Sequence, residues 1–185
     1  IEGCKKLAKL EIPAGVKTIG RYAFSDCENT LVTFAKGSKC EKIETWAFAD
    51  FTAGIGTQES DLISIPAALG DLVIPASVKR IEEYAFISNA SITSVKFEAG
   101  SKCTYIGECA FANCNNMKSI GFPASLKTLK RADDDLGGGF QLYGCTSLQT
   151  ITMEAGIKIS YIPNDFAERC SRLKSICIPK NVVSI

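Results

Sequence analysis

Two hydrophobic spacings alternate along this chain. Seven short runs place apolar residues two apart: Leu10-Glu-Ile12, Val32-Thr-Phe34, Leu72-Val-Ile74, Val95-Lys-Phe97, Ile120-Gly-Phe122, Ile151-Thr-Met153 and Ile176-Cys-Ile178. A period of two predicts strands with one face buried. Pro13, Pro75, Pro123 and Pro179 each follow a run directly and end it, because proline brings no N–H to the ladder. After every run comes one more aliphatic residue: Ile19, Ile43, Ile81, Ile106, Leu129, Ile162 and Ile185. The first four open the phrase Ile-x-x-x-Ala-Phe, ending at Phe24, Phe48, Phe86 and Phe111.

The runs recur at a nearly fixed period, with 23 residues from Leu72 to Val95 and 25 from Val95 to Ile120. Such a period predicts a solenoid, in which each unit buries its apolar face against its neighbours. Short and long units alternate: Leu10 to Ile19 is nine residues, Val32 to Ile43 eleven. The long units carry an extra turn, as in Glu98-Ala-Gly-Ser-Lys-Cys103. Crossovers this short predict one parallel sheet of stacked strands. The segments around Ala-Phe are too short for independent helices and read as helical or 3₁₀ turns that drop each Phe into the core. The predicted fold is α/β: a right-handed leucine-rich-repeat solenoid of about seven repeats, with one parallel sheet on the concave side and the turns on the convex side.

One domain is expected over 1–185, with insertions within 51–71 and 130–139. The first insertion holds Leu62-Ile-Ser-Ile65-Pro66, which fits a small extra strand. The chain begins and ends within a unit and shows no signal peptide, so a fragment of a longer array is expected.

Charge is balanced, at 21 basic and 20 acidic residues for a net +1, with no block of one sign. Nucleic-acid or membrane-surface binding through bulk charge is not expected, nor is membrane insertion, since no apolar run reaches bilayer length. Histidine is absent, which removes the commonest general base, and no glycine-rich phosphate loop follows a strand. The reading is a protein that is not an enzyme and takes no small-molecule substrate and no cofactor.

Nine cysteines raise the question of bridges or metal. Cys40 and Cys103 occupy the slot that Val16, Val78, Leu126, Ile159 and Val182 hold in other units, and read as core residues. Cys4, Cys114, Cys145 and Cys170 share a second slot, with Asn89 in the third unit and Cys27 one residue out of register. Cys or Asn at one slot predicts a buried ladder of side chains bonded to neighbouring backbone. With no Cys-x-x-Cys and no histidine, no metal site is expected. Cys177 falls in an outward column and should be the first thiol to react.

The phrase Cys114-x-x-Met117-x-x-Ile120-x-Phe122-Pro123, repeated from Cys4, Cys145 and Cys170 and continued by Ile-Gly-x-x-Ala-Phe, resembles the BspA-like (Treponema pallidum-type) leucine-rich repeat. The resemblance covers nearly the whole chain. It implies a cell-surface or secreted protein, in a family implicated in adhesion to host matrix proteins and to other cells. The chain departs from the pattern at Phe166-Ala167, where Ala-Phe is reversed, and at the Lys130 insertion, where Ala-Phe is lost.

Two surfaces are candidates for binding. Outward positions of the concave sheet are Lys9, Glu11, Thr33, Asp71, Ser94, Lys96, Ser119, Thr150, Thr152 and Ser175. Concave sheets are the usual binding surface of solenoids, though this one lacks the aromatic and Arg anchors of hot spots. A convex row of Tyr22, Trp46 and Tyr84, continued by Cys109, is the alternative. Asp133-Asp-Asp135 beside Gly137-Gly-Gly139 reads as a solvated loop rather than a calcium site, and the Asn89-Ala-Ser91 sequon as buried. The partner would be a protein or other cell-surface macromolecule, bound by a recognition module. A passive spacer and an intracellular scaffold are the competing readings.

Overall fold

The computed structural model describes residues 4, 8–25, 27, 31–49, 69–130 and 140–185. The extra-strand run at 62–66 and the acidic loop at 133–139 lie outside them. Seven principal strands appear where the period-two runs stand: β1 (Lys9–Ile12), β3 (Leu31–Phe34), β5 (Gly70–Ile74), β7 (Ile92–Phe97), β9 (Ser119–Phe122), β11 (Thr150–Met153) and β12 (Ser175–Ile176). Every pairing among them is parallel.

Two expectations need correction. Among the described residues the principal strands fall in two sheets rather than one: β1 pairs with β3, and β5, β7, β9, β11 and β12 form a five-stranded sheet. A second parallel ladder joins the two-residue strands β2 (Thr18–Ile19), β4 (Lys42–Ile43), β6 (Arg80–Ile81), β8 (Tyr105–Ile106) and β10 (Thr128–Leu129). These are the isolated aliphatic residues that follow each run. Stacking at strand spacing puts their backbones in hydrogen-bonding reach as well.

The turns around Ala-Phe are also not helices; no helix of any type occurs among the described residues. The residue before each Ala has positive φ: Tyr22 56°, Trp46 56°, Tyr84 59° and Cys109 50°. A left-handed residue cannot continue a right-handed helix. The chain instead turns and bonds to the next coil, Phe48 N–H donating to Ala85 O at 2.8 Å and Phe86 N–H to Ala110 O at 2.9 Å.

That bond pattern also locates the two irregular units. Phe111 N–H donates to Gln141 O and Leu142 N–H to Phe166 O. Gln141-Leu142 therefore stands where Ala-Phe was read as lost. Phe166 takes the Ala slot, so the reversal in sequence is a reversal in space. Phe140 (φ 46°) and Asp165 (φ 57°) continue the left-handed column.

Between the two ladders lies one core. Phe24, Phe48, Phe86 and Phe111 are buried and stacked, with centroids 5.0, 5.1 and 5.0 Å apart. Ile19, Ile43, Ile81, Ile106, Leu129 and Ile162 are buried as expected; Ile185, the last residue, is 74% exposed. None of the nine cysteines is in a disulfide, and Cys40 and Cys103 are fully buried. The side-chain ladder is present. Cys114 Sγ donates to Phe86 O (3.2 Å), Cys145 Sγ to Phe111 O (3.1 Å), Cys170 Sγ to Leu142 O (3.1 Å) and Asn89 Nδ2 to Phe48 O (3.0 Å).

Candidate functional site

Alternation within each principal strand sends one residue in two out of the core, and the parallel register aligns those residues across strands. Asp71, Ser94, Ser119, Thr150 and Ser175 form one row across the five-stranded sheet. Lys96 lies opposite Val73, and Thr152 opposite Gly121. Lys9, Glu11 and Thr33 lie on the separate β1–β3 pair, where Lys9 faces Leu31 and Glu11 faces Thr33. The expected binding column is thus two patches, divided between β3 and β5. Lys9, Glu11, Asp71, Lys96, Thr152 and Ser175 are exposed, and Thr33, Ser94, Ser119 and Thr150 half-buried.

The larger patch has an electrostatic centre. Asp71 Oδ1 accepts from Thr93 Oγ1 at 2.7 Å and Ser94 Oγ at 2.8 Å. These bonds, aided by the charges of Lys96 and Lys118, hold its carboxyl below the usual range. Fixed hydroxyls and an ionised acid beside two lysines offer a partner donors and both charges. Close by, a Cβ at Gly121 would stand 3.0 Å from Thr152 Oγ1, so a larger residue there requires that side chain to shift.

The aromatic row stacks as read: Tyr22 on Trp46 at 5.2 Å and Trp46 on Tyr84 at 5.4 Å. Arg21 lies 4.8 Å over Trp46. Trp46, Tyr84, Cys109 and Tyr143 pack on a small buried cluster of Ala49, Ile87 and Ala112. Burial, with Glu108 nearby, pushes the Tyr84 phenol up to about 12. The rings mostly cover one another and the turns beneath them.

A third surface escaped the sequence reading. On the second ladder, Glu82 accepts from Arg80 Nε at 2.9 Å and Nη2 at 3.2 Å, and Lys42 Nζ is 3.4 Å from both Glu82 and Glu44. Arg80 also lies 3.7 Å over the Tyr105 ring, whose hydroxyl donates to Glu83 at 2.5 Å. Its signal was Lys42, Arg80 and Tyr105 at one slot, with Glu44 and Glu82 two residues after the first two. It was missed because those positions were not read as strands. The charges satisfy one another, so this surface is a brace between coils.

The BspA type Leucine rich repeat region matches in six copies, over residues 2–55 and 102–185. The chain belongs to this family. Its solenoid is similar to the crystal structure of the pneumococcal vaccine antigen PcpA, at TM-score 0.59 and 27% identity, over 80% of this chain and 31% of that one. This chain therefore spans about a third of that protein. A leucine rich cell surface protein from Faecalibacterium prausnitzii A2-165 aligns more loosely, at TM-score 0.34 and 20% identity, over 92% of this chain and 59% of that one. No curated protein matches. Among the described residues no helix is long and apolar enough to cross a membrane.

Proposed function

We propose that this BspA-type array is a non-catalytic recognition module of a cell-surface or secreted protein. It binds a protein or other cell-surface macromolecule, in adhesion, through the outward face of the principal strands. The aligned polar row from Asp71 to Ser175, centred on Asp71, Lys96 and Lys118, carries this reading. Repetition of weak contacts along an array raises avidity without any single strong anchor. That fits a sheet face with no Trp, Tyr or Arg among its outward residues.

The experiment is direct. The chain is immobilised and exposed to matrix proteins and to extracts of cell surfaces. Saturable binding that falls as salt rises is expected from a polar, charged face. Binding to no partner would favour a passive spacer. Nine cysteines outside any disulfide favour a second reading, an intracellular scaffold in a reducing compartment; a secretion signal on the parent protein would exclude it.

A further inference from the structure

The six turns 13–17, 35–41, 75–79, 98–104, 123–127 and 154–160 lead from a principal strand to the buried aliphatic residue that follows it. Together they carry seven lysines, three glutamates, no arginine and no aromatic ring, in a chain of net charge +1. Every turn has one lysine next to its core slot, after it in the short units and before it in the long ones. These are Lys17, Lys39, Lys79, Lys102, Lys127 and Lys158. All six are exposed. Far apart in sequence, they form no charged block; the stacking of coils lines them up along one edge.

The coils bond directly along this edge. Glu41 N–H donates to Lys17 O at 2.7 Å, Lys79 N–H to Glu41 O at 2.8 Å, Thr104 N–H to Lys79 O at 2.9 Å and Lys127 N–H to Thr104 O at 3.1 Å. Lys39, Lys102 and Lys158 N–H donate in turn to Ala14, Ala76 and Leu126 O. At a strand spacing of about 4.8 Å, six coils make a row about 24 Å long with one lysine per coil. Glu41 shows what the row attracts. Its carboxylate takes a bond from Lys79 Nζ at 2.9 Å, and that bond, with the charges of Lys79, Lys17 and Lys102, holds it below the usual range. Lysines of three other coils thus act on one anion. Glu98 and Glu154 are turned onto backbone instead, accepting from Ala76 N–H at 2.8 Å and Ala124 N–H at 2.9 Å. Among the described residues, Lys79–Glu41 is the one ion pair these six lysines make. On the neighbouring ladder, by contrast, Lys42 and Arg80 are satisfied by Glu44 and Glu82.

We propose that this edge binds a linear sulfated polysaccharide, at a site separate from the polar row of the principal sheet. A row of exposed ammonium groups, one per coil, suits a polymer whose anions are fixed at a similar repeat, and each sugar ring of such a chain advances it by about one strand spacing. Lysine is a point charge on a flexible stem and meets sulfate groups from varied directions, where arginine would demand planar pairing. Nucleic acid fits the edge poorly, because it is held by aromatic stacking and Arg contacts that these turns lack. A lipid surface fits poorly too, because the turns present no large exposed apolar side chain to enter it. The site does not depend on the sheet-face reading.

Calorimetric titration of the whole chain with a heparin oligosaccharide of defined length tests this. Saturable binding at about 0.15 M salt is expected, weakening as salt rises. Each exposed charge pair is worth up to about fivefold, so Lys102→Gln/Lys127→Gln should weaken binding about tenfold. Arg172→Gln/Lys174→Gln removes the same charge from exposed positions off this edge and should leave binding within about twofold. Glu41→Gln removes the row's own anion and should tighten binding about twofold or more, a gain that loss of fold cannot imitate. The edge variants leave the polar row of the sheet intact, so their outcome is distinct from that of the sheet-face reading. Equal losses from the two double variants, or no gain from Glu41→Gln, would overturn the proposal. So would no binding at that salt, or equal binding after the sulfate groups are removed. Tighter binding to single-stranded DNA or to phosphatidylserine vesicles would overturn it as well, and name the true ligand class.

Discussion

Replacing Phe86 with alanine tests the core at its most connected point. Phe86 is fully buried, between Phe48 at 5.1 Å and Phe111 at 5.0 Å, with planes tilted by 1° and 3°. Loss of a buried Phe side chain costs about 3–5 kcal/mol through lost transfer energy and the cavity left behind. Each ring pair adds roughly 0.5–1.5 kcal/mol beyond area, and Phe86→Ala breaks two. The Phe86 and Phe111 coils are held at strand spacing on both ladders and the Phe48 coil is paired to that of Phe86 through β4 and β6, so the cavity collapses little, which favours the upper half of that range. Phe24 begins the stack, 6% exposed, with one ring partner among the described residues, at 5.0 Å. Phe24→Ala should cost about 1 kcal/mol less, the worth of one ring pair. Urea unfolding followed by fluorescence of Trp46 measures both. A cost for Phe86→Ala below about 1.5 kcal/mol, or one equal to that of Phe24→Ala, would refute the continuous stack.

Three further outcomes follow from local geometry. A Cβ at Gly107 would stand 2.4 Å from Glu83 N and 2.6 Å from the Glu82 carbonyl carbon, both backbone, while one at Gly20 meets nothing within 4 Å. Gly107→Ala should therefore cost about 2–3 kcal/mol as overpacking, and Gly20→Ala less than about 0.5 kcal/mol, by thermal melts. Burial raises the Glu82 pKa, but Arg80 hydrogen bonds and charge, with Lys42, outweigh it and hold the carboxyl below its usual range. The stability it contributes is present above the unfolded-state pKa and is lost as pH falls through the lower folded-state value. Glu82→Gln should remove about 1–2 kcal/mol at neutral pH, reduced because Arg80 and Lys42 are part-exposed, and flatten that acid slope in melts between pH 7 and 3. A thiol reagent on the folded protein should modify the exposed Cys177 first, while Cys103, pushed up to about 12 by burial, reacts only on unfolding. Early labelling of Cys103 would contradict the packed core.

The solenoid was legible because its signal repeats. One period-two run is ambiguous; seven at a common spacing place every principal strand. The Cys/Asn slot announced the side-chain ladder for the same reason, since Asn89 shares a hydrogen-bonding role with Cys114 rather than a volume. The second ladder was not legible. A two-residue strand such as Thr18–Ile19 has no periodicity to read, and its bonds come from coil-to-coil spacing. The turns were misjudged because left-handed φ at Tyr22 or Trp46 is a tertiary demand that local propensity does not show. The division of the sheet was foreshadowed only by the length of the first insertion. Residue types alone marked the outward face, so its polar row was readable, but the Asp71–Thr93–Ser94 cluster required the register.

The face assignment is the central claim, and paired variants on a bound partner decide it. Lys96→Glu reverses charge beside the polar row, in the column of Val73, and Trp46→Ala removes the middle ring of the aromatic row. Measured by surface plasmon resonance against the partner recovered on the immobilised chain, Lys96→Glu should weaken binding roughly tenfold or more, and Trp46→Ala should leave it within about twofold once stability is matched. The reverse order would move the site to Tyr22, Trp46 and Tyr84 and contradict the account.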